Sequence, residues 1–182
     1  MGACYMRIIG GTLKGIRITP TKGLPVRPTT DKAKESLFNI LNFRLDWNNL
    51  HALDLFSGTG SIALELASRG AASVQCVDIH GKCCAFITEM AKKYELPIQV
   101  SRSDVFRYIK KCTTRYPLIF ADPPYLDKRI GLLPEMILEQ DILEKEGLFI
   151  LEHPSGLALP GKHRPYEQRK YGQSMFSFFK AI

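Results

Sequence analysis

From His51 onward, two hydrophobic periods alternate along the chain. Short, nearly continuous apolar runs predict buried strands at Ala52–Phe56, Ser73–Asp78, Ile98–Ser101, Leu118–Ala121 and Leu148–Leu151. Between them, helical spacing predicts helices over Ser61–Arg69, Gly81–Tyr94, a short stretch from Val105, and Gly131–Gln140. The second is the clearest: Cys83, Phe86, Ile87, Met90, Ala91 and Tyr94 share one face. Gly70 closes the first as a C′ residue. Glu167–Lys170 and Ser174–Phe179 read as a closing β-hairpin. Repeated strand–helix–strand units with short loops imply a doubly wound, mostly parallel α/β sheet.

The first quarter has a different texture. Tyr5–Ile18 reads as two short strands broken by Gly10, Gly11 and Gly15. Pro20, Pro25 and Pro28 make Thr19–Thr30 irregular and extended. A helix then starts near Thr30, with Ala33, Leu37, Ile40 and Leu41 as its apolar stripe. We read one domain over 1–182, made of a basic hairpin and helix (1–47) and a catalytic core (48–182).

Composition adds charge to this picture. The net charge of +7 is concentrated: residues 1–44 hold eight Lys and Arg against two acids, and the remainder seventeen against sixteen. Such an arm suits phosphate backbones, although a solvated basic face is the plainer alternative. No apolar run is long enough to span a bilayer and no leader pattern opens the chain. A cytoplasmic location is expected, as a monomer. The five cysteines (Cys4, Cys76, Cys83, Cys84, Cys112) lack metal spacing, and the four histidines are scattered, so no metal is expected.

Ligands of such sheets bind beyond the carboxyl ends of the strands, and the unusual residues fall there. Asp54-Leu55-Phe56-Ser57-Gly58-Thr59-Gly60 ends the first strand of the core. Its glycines let backbone approach a ligand, but Gly58-x-Gly60-x-x-Ala63 alone also fits a dinucleotide fingerprint. Asp54 discriminates. A carboxylate buried late in a parallel strand repels a pyrophosphate and suits a cation, such as the amino-acid part of S-adenosylmethionine. Asp78 ends the next strand, where an acid can accept ribose hydroxyls. Asp104, after the third, either meets an adenine amino group or caps the next helix; taken alone, the cap is the simpler reading.

Asp122-Pro123-Pro124-Tyr125 follows the most apolar strand. The prolines fix the backbone and remove two donors, Asp122 adds an acceptor, and Tyr125 adds an aromatic face. Together they form a clamp for an amino group on a planar ring, oriented for attack on a methyl donor.

These elements resemble the amino-methyltransferases of nucleic-acid bases. More closely, MRIIGGTLKGIRI, LPVRPTTDKAKESLFNIL, DLFSGTGSIALELASRGA and ADPPY resemble the RsmD family of small-subunit rRNA guanine-N2 methyltransferases, over nearly the full length. The resemblance implies a Rossmann-like class I methyltransferase fold, with seven strands and an antiparallel C-terminal hairpin. It implies S-adenosylmethionine as cofactor, S-adenosylhomocysteine as product, and contacts at Thr30, Asp54, Phe56, Ser57, Gly58, Thr59, Gly60, Asp78, Ile79, Asp104 and Val105. It implies that Asp122, Pro123, Pro124 and Tyr125 hold the guanine. It also implies that Arg7, Lys14, Arg17, Lys22 and Arg27 meet 16S rRNA or a small-subunit assembly intermediate. Asp78 stands where many relatives carry Glu.

Three other readings compete. Adenine-N6 methylation of DNA or RNA can use a similar clamp, but the chain has no room for a separate DNA-reading domain. An NAD(P)-dependent oxidoreductase leaves Asp54 and the clamp unexplained. A non-catalytic rRNA-binding factor leaves both motifs without purpose.

Overall fold

A computed structural model describes residues 5–21, 23–24 and 31–181 of the chain. Thr30, Lys22 and Arg27, expected at the site or on the RNA face, lie outside the described residues.

The sheet of the core has seven strands. β3 (His51–Leu55), β4 (Ser73–Asp78), β5 (Ile98–Arg102), β6 (Tyr116–Ala121) and β7 (Leu143–Pro154) run parallel. β8 (Glu167–Tyr171) and β9 (Ser174–Lys180) form the hairpin, with β9 paired antiparallel to β7. The spatial order is β5-β4-β3-β6-β7-β9-β8. The order reverses between β3 and β6, which opens a crevice at their carboxyl ends. The predicted strands agree in place, but β7 begins five residues before its apolar run and continues to Pro154. Pairing with β9 carries its C-terminal end to Pro154, and at the other end Leu143 pairs with Tyr116 of β6 ahead of a register shift.

Helices cover both faces: α2 (Ser61–Ser68) and α3 (Gly81–Lys93), then α4 (Val105–Lys111) and α5 (Leu133–Glu139). On one face Ala52, Leu118, Phe120, Ile150, Phe176 and Phe178 pack with α1 (Asp31–Leu41) and α2. On the other, Leu53, Leu55, Ile119, Phe149 and Leu151 pack with α4 and α5. Alternation along each strand decides which residue goes where. The α1 stripe is Ala33, Lys34, Leu37, Phe38 and Leu41, with Ile40 only half-buried. Phe38 takes the place expected of Ile40, because α1 turns its i, i+4 ridge toward the sheet and Trp47 stacks on Phe38.

The basic hairpin, β1 (Met6–Arg7) against β2 (Arg17–Ile18), is shorter than its sequence suggested. It is docked. Met6, Ile8 and Ile18 bury against Leu64 of α2 and Phe86 and Met90 of α3. Glu65, fully buried, accepts from the backbone N–H of Ile9 (2.8 Å) and Gly10 (2.7 Å). Ser68 donates to the Gly10 carbonyl (2.6 Å) and accepts from Leu13 N–H (3.0 Å). Gly11 has φ +75°, and a Cβ there would fall 1.7 Å from the Ser68 carbonyl oxygen, so this turn requires glycine. Lys34, also fully buried, donates to the Arg7 carbonyl (2.6 Å) and to Ser61 Oγ (3.2 Å), and pairs with Glu65 at 3.6 Å. Burial pulls its ammonium below the ordinary lysine value, while Glu65 and then Asp31 oppose that.

Candidate active site

The glycine loop between β3 and α2 is built from its own strands. Ser57 donates to the Asp54 carbonyl (2.7 Å) and accepts from Val77 N–H (3.1 Å), tying β3 to β4. Phe56 takes the left-handed conformation (φ 60°), a strained state for a bulky residue that turns the chain off the strand. Gly60 continues the turn at φ 73°, and a Cβ there would meet Ile87 at 2.8 Å. The loop is thereby held low, with Thr59 and Ser61 buried at the start of α2.

Asp78 pins this loop from β4. One oxygen accepts from Gly58 N–H (2.8 Å) and the other from His80 N–H (2.7 Å). Each oxygen keeps a further lone pair for a ligand hydroxyl. Asp104 does cap α4: Oδ1 accepts from Arg107 N–H at 2.9 Å, and Oδ2 pairs with Arg129 at 3.4 Å. Arg129 lies over the Phe106 ring at 4.0 Å and binds Asp127 at 2.8 Å, so it joins the loop after β6 to the loop after β5. Ile79 is exposed and Val105 buried beside these acids in sequence.

Three carboxylates share one face of the sheet at its carboxyl end. Asp54 pairs in register with Phe120, and Ala121 with Leu151, which places Asp122 and Glu152 at the next step on neighbouring strands. Phe120 and Ile150 belong to the core on the α1–α2 face, so Asp54, Asp122 and Glu152 continue that row outward. Asp54 is 2 % exposed and its Oδ2 has no hydrogen-bond partner among the described residues. Burial pushes its carboxyl up to about 7, with Asp78 adding to the rise and Ser57 and Ala63 opposing it. Asp122, partly exposed at its rim and otherwise enclosed, is held well above the usual range by burial, then by the charges of Glu152 and Asp54. The buried Asp54 oxygen in this row suits a cation or a hydrogen-bond donor.

The clamp closes over the row. Asp122 N–H donates to the Leu55 carbonyl (3.3 Å), fixing the end of β6 against β3. Pro123 is buried and Pro124 exposed. The Pro124 carbonyl accepts from Asp127 N–H at 2.8 Å to close the turn, which leaves the role of proline acceptor in the clamp to Pro123. The Tyr125 hydroxyl lies 2.5 Å from Ser174 Oγ and 3.5 Å from Glu152 Oε1, with the ring 41 % exposed. Burial raises the phenol above its ordinary value, so it is neutral at physiological pH.

The structure therefore brings Asp54, Gly58, Gly60, Asp78, Asp122 and Tyr125 to one end of the sheet. Glu152, Ser174 and Arg129 join them without having been expected. Glu152 had a signal: it follows the apolar run Leu148–Leu151 as Asp54 follows Leu53. Ser174 and Arg129 had none, since tertiary packing alone brings them in. Arg7, Lys14 and Arg17 lie on the hairpin instead. Lys14 and Arg17 are exposed, Arg17 against the Tyr5 ring (4.8 Å), while Arg7 is half-buried and pairs with Asp31 at 3.2 Å. A concavity of about 690 Å³ lined by Arg44, Glu144, Tyr166 and Lys180 contains none of the row and lies at the opposite end of β6 and β7.

No helix among the described residues is long and apolar enough to cross a membrane. The family model described as conserved hypothetical protein 95 matches residues 6–180. YlbH of Bacillus subtilis (strain 168) is 36% identical over 160 residues, covering 85% of this chain and 86% of that protein. The ribosomal RNA small subunit methyltransferase D of Escherichia coli (strain K12) is 31% identical over 147 residues, covering 80% of this chain and 70% of that one. The solved structure of Escherichia coli yhhF superposes with a TM-score of 0.84 over 98% of both chains at 24% identity, which gives the same Rossmann-like class I methyltransferase fold. By the extent of these matches, the chain belongs to the RsmD family, the group described as conserved hypothetical protein 95.

Proposed function

We propose that this protein methylates the exocyclic N2 amino group of a guanine in small-subunit (16S) rRNA, using S-adenosylmethionine. The observation that carries the reading is the row of Asp54, Asp122 and Glu152 beneath the Asp122–Tyr125 clamp. Its buried, unpaired Asp54 oxygen fits the amino-acid ammonium of the cofactor, and a dinucleotide phosphate does not fit there. Asp78 would hold the ribose hydroxyls, and Asp104 the adenine amino group, with Ile79, Val105 and Phe56 alongside. Thr59, in the glycine loop, would meet the carboxylate. When bound, the cofactor supplies an electrophilic methyl group and needs no metal.

The chain's own residues do the rest. The guanine leaves its stack to reach the crevice. Tyr125 stacks on the base, and Asp122 and the Pro123 carbonyl each accept one amino hydrogen. This turns the nitrogen lone pair toward the methyl donor. As the N–C bond forms, one amino proton leaves to the Asp122 carboxylate and from there to solvent. Exposed Lys14 and Arg17, with Arg7, would contact RNA phosphates.

The test is methyl transfer from labelled cofactor to small-subunit RNA and particles from cells lacking this protein, followed by nucleoside analysis. N2-methylguanosine is expected. N6-methyladenosine would overturn the base assignment, and no label despite tight cofactor binding would overturn the substrate class.

Two further outcomes follow from the same reading. Asp54 is neutral below about pH 7 and charged above it. Cofactor affinity should therefore rise about tenfold per pH unit up to 7, then level off. Calorimetric titrations from pH 5.5 to 8 check this, and a flat profile would remove Asp54 from contact with the cation. The same shift makes Asp54 bind a proton in the folded chain that the unfolded chain has lost, so its contribution to stability falls as pH rises from about 4 to 7. For the hairpin, replacing Arg7, Lys14 and Arg17 together with Ala should flatten the dependence of log affinity for RNA on log salt by about 2. An unchanged slope, measured by filter binding, would move the RNA surface elsewhere.

A further inference from the structure

We infer that Leu126 is a wedge that fills the gap the target guanine leaves in the RNA stack when it enters the clamp. The inference rests on the reading above and names the side chain that holds the opened RNA apart.

The tip of the clamp loop leads there. Leu126 is 95 % exposed, more than any other large apolar side chain among the described residues. Single exposed leucines are ordinary on protein surfaces, but this one directly follows the base-stacking ring and shares its turn. The bond from Asp127 N–H to the Pro124 carbonyl (2.8 Å) closes four residues, with Tyr125 and Leu126 at the two central positions. Tyr125 is anchored inward, its hydroxyl 2.5 Å from Ser174 Oγ of β9. Leu126 is left bare. The turn is also braced from outside. Asp127 accepts from Arg129 N–H (2.9 Å), Nε (3.0 Å) and Nη2 (2.8 Å). Arg129 in turn pairs with Asp104 at 3.4 Å and lies 4.0 Å over Phe106 of α4. An apolar side chain on a braced tip is already placed for insertion and loses little freedom when it enters a stack. Exposed Lys128, two residues on, offers a cation to the phosphate beside the gap.

Base extraction calls for such a group. Pulling a guanine from its stack leaves two neighbouring bases with bare faces, a cost met at every turnover. Proteins that part base steps commonly insert an apolar side chain between them. The extracted guanine and the gap it came from lie close together, as do the two central residues of one turn. Leucine suits the gap because its contact with base faces is apolar and makes no demand on their hydrogen-bonding edges.

The guanosine methylated by the wild-type protein is first located, in the shortest RNA or reconstituted particle that it methylates. That substrate is then made with an abasic residue in place of the guanosine, so that the gap is present and the base is not. Affinities for both are measured by filter binding with S-adenosylhomocysteine present. Leu126→Ala should bind the abasic substrate about fivefold more weakly than wild type, the low end for a base-stacking contact. Leu126→Met, which conserves volume, should restore the affinity to within about twofold. Tyr125→Ala should lose affinity only for the substrate that carries guanosine, because its stacking partner is otherwise absent. Thermal unfolding and cofactor affinity of Leu126→Ala should match wild type, since the side chain is bare in the free protein. Wild-type affinity of Leu126→Ala for the abasic substrate would overturn the wedge. So would a Leu126→Met no better than Leu126→Ala, or an equal loss from Tyr125→Ala on the abasic substrate. No methylated guanosine, with the cofactor still bound, would instead bring down the proposed function and this inference with it.

Discussion

Asp122→Ala is expected to lower kcat by about 10³-fold, within the range for loss of a positioned acid–base group. Its carboxylate is the acceptor at the end of β6, held by the Asp122 N–H to Leu55 bond and enclosed with Glu152 and Asp54. Without it, an amino group keeps its conjugated, planar form and presents no lone pair to the methyl donor. Cofactor affinity should stay within a few-fold, since Asp78 and the glycine loop are anchored on β3 and β4. Single-turnover methyl transfer and calorimetry together check both parts. Unimpaired turnover would sink the clamp.

Glu65→Ala should have the largest effect on stability, a loss of about 3–5 kcal/mol. Glu65 is fully buried, and its removal strands the Lys34 ammonium, whose nearest counter-charge is 3.6 Å away in the native protein. The N–H groups of Ile9 and Gly10 lose their acceptor at the same time. Arg69 loses its 2.8 Å partner but keeps the Asn42 side chain (3.0 Å) and the Phe38 ring (4.7 Å). For a domain of this size the expected drop in Tm is about 10 °C. Adding Lys34→Met to Glu65→Ala should recover part of the loss, because the stranded charge is then absent. Thermal unfolding of the two variants decides it. A double variant no more stable than Glu65→Ala would mean that the backbone contacts, not the charge, dominate.

The sheet was legible because buried parallel strands are written as apolar runs and their helices as 3.6-residue stripes. Asp54, Asp78 and Asp122 were legible because an acid after such a run contradicts its surroundings. Glu152 carried the same contradiction, but β7 continues past it to Pro154 and does not end there. Lys34 and Glu65 were invisible for another reason. Each occupies a polar position on a helix whose apolar stripe already looked complete, and only their mutual burial makes them part of the core. The hairpin's charge was read correctly as an excess. Its attachment was not readable, because the acceptors that hold it lie about 55 residues away in α2.

That attachment bears on how such proteins can be recombined. Residues 5–18 resemble an appendage that could be exchanged to redirect substrate choice. Their backbone, however, is bonded to Glu65 and Ser68 of the helix that opens from the glycine loop, and to Lys34, which also reaches Ser61 at that helix's first turn. The transplantable unit is thus the hairpin together with α1 and α2. A chimaera cut at the hairpin alone would inherit a foreign loop over three buried polar side chains made to fit another one.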